Sequence, residues 1–302
     1  MLKFDIVSPT ARLYRVARWP GNPFAPPPWL IARTDGTFGN RFDDPGTDER
    51  SPLEERFRVI SCATQREAAI GESIARFRPS VAVLSRLSRI PDLETVDTVE
   101  FGSEVQVHHA GGTLPSDWCT RRQIGSTRLD SALQFVDISS ASSLTTLRTS
   151  LAPLADRLNI SDIDLSAVSG QQRAFTQACS RFIYQQQDES GAPRFAGIRY
   201  ISRFHQAWEC WAVFADRFWH EPDVPELLDS GDSSLQRAAA LLGISIAPSA
   251  VLLSFVDRSG NGDGNVVNLP LNVPVILAKI GQKSANQGQS GLSCRERIRA
   301  FQ

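Results

Sequence analysis

Residues 57–79, FRVISCATQREAAIGESIARFRP, decide how the rest of the chain is read. Residues 57–63 are rich in aromatic and β-branched types, which predicts a buried strand. A helix is predicted to follow at once. Thr64 stands three residues before Glu67, the spacing of a capping box in which a hydroxyl and a carboxylate each satisfy a free backbone amide. Residues 65–77 are good helix formers, and Pro79 turns Arg78 out of helical geometry. Ile70, Ile74 and Phe77 share one face at helical spacing, so that face packs inward. Glu72 falls on the other side, flanked by Ala68 and Ala75, whose small side chains leave room in front of a carboxylate on an anchored helix. Two readings of Glu72 stand side by side: a ligand-facing carboxylate, or half of an exposed helix pair with Arg76 four residues on, worth about 0.3 to 0.5 kcal/mol.

Working outward, 302 residues with an apolar fraction of 41% suffice for a large core. The 32 basic and 33 acidic residues nearly cancel. Composition therefore supplies no electrostatic reason for direct nucleic-acid binding or for an anionic membrane. Cysteines at 62, 119, 179, 210 and 294 are scattered and never spaced as CxxC. That usage argues against a disulfide scaffold or a zinc site and fits a reducing compartment. The first twenty residues lack the apolar run of a signal peptide, and no window resembles a membrane span, so a cytoplasmic protein is expected.

Upstream of the central stretch, residues 12–17, RLYRVA, read as a short strand carrying Arg15, a residue costly to bury without an anion. PGNPFAPPPW, residues 20–29, is a proline-rich loop. GTFGNRFDDP, residues 36–45, would send Arg41 and Phe42 to opposite faces if extended. Downstream, residues 80–159 alternate short apolar segments with turns and carry no chemical constellation. His108 and His109 are neighbours that point apart on a strand and make a poor joint metal site. Ser169 and Gln172 form a second plausible capping box before a helix over 171–187, with Phe175, Ala178 and Phe182 on one face.

Residues 195–214 read as two strands about a polar turn, with Trp208, Cys210, Ala212 and Phe214 alternating against Trp211 and Val213. Ser202, at the end of the first strand, sits in no GxSxG elbow; a strand-end serine ordinarily bonds its own backbone. Residues 232–243 predict a helix with a glycine stop. The connector DRSGNGDGN between the apolar runs VLLSF and VVNLPL has Asp257, Asn261 and Gly262 at calcium-loop offsets. Ser259 and Asn268 stand where acidic ligands are usual, and a hairpin connection explains the same residues.

Taken together, LYRV around Arg15, GNRFDDP around Arg41, the strand-helix unit carrying Glu72, and GIRYISR around Ser202 resemble, in order and context, the RES domain family, named for its arginine, glutamate and serine. QQRAFTQ and ECWAVF are similar to the longer members. The resemblance implies an α+β fold related to the ADP-ribosyltransferases, with mixed sheets and helices and an elaborated middle region. It also implies cleavage of NAD at the nicotinamide-ribose bond, by phosphorolysis or hydrolysis, as the toxin of a toxin-antitoxin pair silenced by a helix-turn-helix partner.

It assigns catalysis to Glu72, Arg15 and Ser202. Contact with NAD falls to Arg15, Arg41, Phe42, Ser61, Ser202 and Arg203, with NAD as substrate, phosphate as possible co-substrate, and no other cofactor or metal. Guanidiniums suit a pyrophosphate, and a fixed carboxylate opposes a ribosyl cation. Ser61 departs from the family pattern, which usually has a tyrosine eleven residues before the glutamate. An aromatic wall there is worth about 0.5 to 1.5 kcal/mol beyond area burial. ADP-ribosyl transfer, or a non-catalytic module binding NAD or a partner, are the alternatives. One continuous domain over 1–278 is expected, elaborated by 80–159, with a flexible tail over 279–302.

Overall fold

The computed structural model describes residues 3–46, 51–87, 112–218, 223–248, 251–256 and 266–271. The chain divides into two compact units, Met1–Ala247 and Pro248–Gln302, and the continuous domain expected to reach residue 278 has this division within it. In the second unit, β11 (Val251–Val256) and β12 (Val266–Leu271) form an antiparallel pair. Their connector with its calcium-loop offsets, the His108/His109 pair and the tail from 279 lie outside the described residues.

The first unit is mixed α+β. Its sheet has eight strands: β1 (Ile6–Val7), β2 (Leu13–Arg18), β3 (Val59–Ala63), β5 (Arg122–Thr127), β6 (Phe135–Asp137), β7 (Gly197–Ile201), β8 (Glu209–Phe214) and β9 (Glu226–Leu227). They lie in the order β1-β6-β7-β8-β3-β2-β5-β9, while β4 (Thr113–Leu114) and β10 (Ser245–Ile246) form a small parallel pair. Only β6 and β7 run parallel within the large sheet. Residues 80–159 thus contribute β5 and β6 to the sheet itself. The described helices are α1 (Arg66–Ile74), α2 (Val81–Leu87), α3 (Ser116–Thr120), α4 (Ala141–Arg157), α5 (Leu165–Ser169), α6 (Arg173–Tyr184) and α7 (Ser233–Leu242).

Alternation in β8 sorts the core. Cys210, Ala212 and Phe214 join the large cluster that includes Ile70, Ile74 and Phe77. Trp211 and Val213 join a smaller cluster with Leu13, Ile60 and Cys62. The inward face read for the central helix is therefore present, with Ile70, Ile74 and Phe77 each at most 1% exposed. That helix ends early, at Ile74, and passes into a 3₁₀ turn over Ala75–Phe77.

Neither expected capping box forms. Gln65 is the N-cap of α1 and its side chain makes no cap bond. Thr64 instead donates to Glu209 Oε2 at 2.5 Å and accepts from Trp211 Nε1 at 2.8 Å, because β8 lies alongside and offers stronger partners. Glu67 is drawn away to Arg237 of α7, at 2.8 Å. At the second site Asp164 caps α5 and Gln172 precedes α6 without a side-chain cap. The inner face of α6 is Phe175, Cys179 and Ile183, rotated from the expected one, and Phe182 is half-buried. Helix α7 ends at Gly243 with φ +65°, the glycine stop its sequence predicts.

One joint in the sheet bears on function. Strands β2 and β5 pair over six residues, whereas β2 and β3 meet only at Tyr14 and Ala63. Beyond that rung the two strands part, and Arg15 Nη1 donates to the carbonyl of Ser61 at 2.9 Å. A guanidinium takes the place of a ladder bond.

Candidate active site

Helix α1 is placed by packing on both sides. Trp208 lies against Gly71, where a Cβ would come within 2.2 Å of the indole. Glycine is thus required by close approach rather than by a turn. Across the helix start, Arg66 reaches Asp232 at 2.7 Å and Glu226 at 2.8 Å. So fixed, the helix presents Glu72 to the end of β7, where Ser202 Oγ donates to Glu72 Oε1 at 2.5 Å. The same hydroxyl accepts from the Phe204 amide at 3.1 Å, so Ser202 makes its local backbone bond and the carboxylate bond together. Ser202 is only 5% exposed. Glu72 and Arg76 form no ion pair among the described residues, and Arg76 stacks over Phe77 at 4.8 Å. The exposed-pair reading of Glu72 therefore does not hold.

The loop bearing Arg41 is not extended, so the condition under which Arg41 and Phe42 would point to opposite faces is not met. Asp43 accepts from the amides of Phe38 and Asn40 at 2.8 and 2.7 Å, and Asp44 accepts from those of Gly46 and Phe57 at 2.9 and 3.0 Å. These two buried carboxylates coil the loop, because aspartate satisfies nearby amides better than a strand ladder does. Arg181 of α6 pairs with Asp44 at 2.5 Å. The result brings Arg41 and Phe42 to the same ring. The Arg41 guanidinium lies 5.2 Å from the Tyr200 centroid, and Phe42 packs against that ring at 5.0 Å, tilted by 57°.

Tyr200 and Arg173 were not among the residues singled out from the sequence. Tyr200 precedes Ser202 by two on β7, so strand alternation alone places it on the same face. It is 9% exposed, and its phenol is pushed well above the ordinary range by burial, then by Cys210 and Glu72. Burial likewise raises Cys62, to about 12, so this thiol stays protonated beside Arg15.

Arg173 is the first residue of α6, a helix with no acid in its first turn. A cation at that end opposes the helix dipole, and this local conflict was the available signal. Burial first, then Arg41 and Arg203, lowers the Arg173 pKa, and Arg203 is lowered by burial and by Arg41 in turn. Arg203 is exposed, stacks over Phe204 at 4.7 Å and feels Glu72. Arg78 stacks on the same Phe204 ring at 5.5 Å.

Four guanidinium nitrogens in this neighbourhood are buried and have no acceptor among the described residues: Arg15 Nε, Arg41 Nε and Nη1, and Arg173 Nη1. Arg15 is also lowered by desolvation and lies within electrostatic reach of Tyr200. Glu72, Ser202, Arg41, Phe42, Arg203 and Arg15 thus gather around one tyrosine. Ser61 is exposed on β3, and its contribution is the carbonyl that holds Arg15.

Family models, curated proteins and solved structures offer no match to this chain.

The arrangement can bind an anion and oppose a cation at adjacent points. Buried N–H donors without acceptors cost free energy that an oxyanion recovers, and a carboxylate fixed by one hydrogen bond keeps lone pairs for a second partner. No helix among the described residues is long and apolar enough to cross a membrane.

Proposed function

We propose that this chain cleaves NAD at the nicotinamide-ribose bond, on a RES-type fold related to the ADP-ribosyltransferases. The observation that carries the reading is the unpartnered donors of Arg15, Arg41 and Arg173 beside a carboxylate, Glu72, held by Ser202. NAD presents the matching charges: a dianionic pyrophosphate for the guanidiniums, and a ribose carbon that becomes cationic as its bond to nicotinamide lengthens.

The roles follow from that match. Arg41 and Arg173 take pyrophosphate oxygens, and Arg15, at the parting of β2 and β3, takes another. Arginine suits this because its planar fork binds such oxygens in pairs. The ribose C1′–nitrogen bond breaks with its electron pair going to the pyridinium ring, so nicotinamide leaves neutral. Glu72 opposes the positive charge left on the ribosyl carbon and accepts from its hydroxyls. An oxygen of phosphate or water then bonds to C1′ and gives up a proton. Ser202 orients Glu72, and Tyr200 with Phe42 supplies an aromatic wall where Ser61 has none.

A binding-only module is the second reading, and the exposed Ser61 in place of an aromatic favours it. ADP-ribosyl transfer uses the same cation with a different nucleophile. The toxin role and the helix-turn-helix partner rest on the sequence resemblance alone. Incubating purified protein with NAD, with and without phosphate, and weighing the products tests the proposal. Free nicotinamide with ADP-ribose or its 1″-phosphate is expected; intact NAD bound but unconverted supports the module.

A further inference from the structure

A second set of cations lies beyond the C-terminal end of α1 and uses none of the residues proposed to hold NAD. Arg18 of β2 and Arg122 of β5 are directly opposed in the antiparallel register. Like charges in that relation destabilise a sheet unless something lies between them. Arg122 stacks over Trp118 at 5.4 Å, Trp118 meets Phe77 edge-on at 6.3 Å, and Arg76 stacks over Phe77 at 4.8 Å. This aromatic pair therefore carries one guanidinium on each side. Arg122 Nη1 donates to the Arg121 carbonyl at 3.1 Å, and Asp117, whose charge reaches Arg122, is already paired with Arg121 at 2.9 Å. The side chains of Arg18 and Arg76 have no hydrogen-bond or ion-pair partner among the described residues.

An independent observation points to a ligand. Trp118 is 6% exposed, yet its indole nitrogen is buried and has no acceptor among the described residues. A buried indole N–H ordinarily finds an acceptor. Among the described residues, three guanidiniums and one indole N–H offer donors and no free acceptor, and an oxyanion complements such a set. Desolvation and mutual repulsion already lower the pKa values of Arg76 and Arg122.

We infer that Arg18, Arg76, Arg122 and Trp118 form a second oxyanion site that takes a compact polyphosphate group. A carboxylate brings one charge, whereas a phosphate brings about −1.5 to −2 and three acceptor oxygens, closer to what three cations require. A small ligand is favoured over nucleic acid because the indole N–H is recessed and the chain as a whole carries a formal charge of −1.

Thermal melts and calorimetric titrations with inorganic tripolyphosphate, at matched ionic strength in potassium chloride, test this. The background is the Arg41→Ala, Arg173→Ala protein, in which the proposed NAD site is disabled, so failure of one site is read separately from failure of the other. The expected result is a rise in Tm with tripolyphosphate. Arg18→Glu places an acid opposite Arg122, so it raises the ligand-free Tm while weakening tripolyphosphate about tenfold or more. Arg18→Ala, at an exposed position, repeats the loss of binding without the new pair. Trp118→Phe keeps the ring beneath Arg122 and removes only the N–H, and is expected to weaken binding about fivefold. Unchanged affinity in Arg18→Glu and Arg18→Ala overturns the proposal. So does tighter binding of a single-stranded oligonucleotide than of tripolyphosphate, which makes this a nucleic-acid face.

Discussion

At the scale of single residues, Glu72 stands near several guanidiniums yet is held by a hydroxyl, Ser202 Oγ at 2.5 Å. Had Arg41 or Arg203 closed on it, the pair would neutralise the charge the proposed chemistry needs. Keeping the cations on Tyr200 and Phe204 instead leaves both signs available to one substrate. The idle donors of Arg173 lead to a direct prediction. Arg173→Ala removes a buried N–H without a partner and relieves repulsion with Arg41, so the free protein is expected to melt at the same temperature or higher. NAD affinity should fall about tenfold or more, as for loss of a charge-assisted contact, with kcat much less changed. Calorimetry and thermal melts check both signs. A Tm several degrees lower, with NAD affinity intact, assigns Arg173 to structure.

Of these residues, Glu72, Arg15, Arg41 and Ser202 were singled out through the resemblance of their four short motifs to one family. Arg173 was missed because helical periodicity reports which face is buried and is silent about a cation at a helix start. Tyr200 was missed because a tyrosine in a core strand looks like packing until the loop carrying Arg41 is seen to fold over it.

At the scale of elements, the strand-helix unit β3–α1 could be read directly, since its apolar spacing and its proline both act locally. Its caps could not, because the partners of Thr64 and Glu67 come from β8 and α7, some 145 and 170 residues away. Tertiary partners outbid the local box. The attachment of α1 to α7 is itself testable. Asp232 caps α7 by accepting from Ser234 and Leu235 at 2.8 and 3.0 Å, and it pairs with Arg66 of α1. Burial alone would raise this carboxyl, but Arg66 and the amides hold it below the ordinary value.

A depressed folded pKa means that the stabilisation is present above the unfolded value, about 3.9, and is lost as pH falls through the folded value. Asp232→Ala is expected to cost about 1 to 2 kcal/mol near neutral pH as a lost cap, more for the lost bond to Arg66, which keeps only Glu226. The difference from wild type should shrink as pH is lowered below 4 in urea melts. A difference that is constant with pH contradicts the role of the charge. Gly71→Ala tests the other side of the same helix. Its Cβ would meet the Trp208 ring at 2.2 Å, and Trp208 is 3% exposed with nowhere to go. Overpacking of this kind costs about 1 to 3 kcal/mol. Turnover should fall with it, because the helix that shifts is the one bearing Glu72.

At the scale of the whole molecule, the α+β class was legible and the strand order was not. A polar turn told β7 from β8, and alternation sorted the faces of β8, since period-2 patterning is written within the strand. Which strands are neighbours depends on long connections, and nothing local says that β2 meets β3 at one rung and β5 along its length. Residues 80–159 carry no motif, yet they supply β5 and β6 to the sheet. The conformation of residues 36–45 was left open by the sequence because its turns are imposed by Asp43 and Asp44 with a helix far along the chain. The division after Ala247 predicts that a chain ending there melts in one cooperative transition within a few degrees of the full-length protein. A broad or absent transition contradicts an independent first unit.

The central proposal is that Glu72 stabilises a ribosyl cation derived from NAD. The most direct measurement compares wild type with Glu72→Gln, following nicotinamide release and NAD affinity in the same preparation. The substitution keeps the shape and an acceptor oxygen for Ser202 while removing the charge. The account predicts turnover reduced about 100- to 1,000-fold, with NAD affinity and melting temperature nearly unchanged. Turnover by Glu72→Gln at the wild-type rate contradicts it.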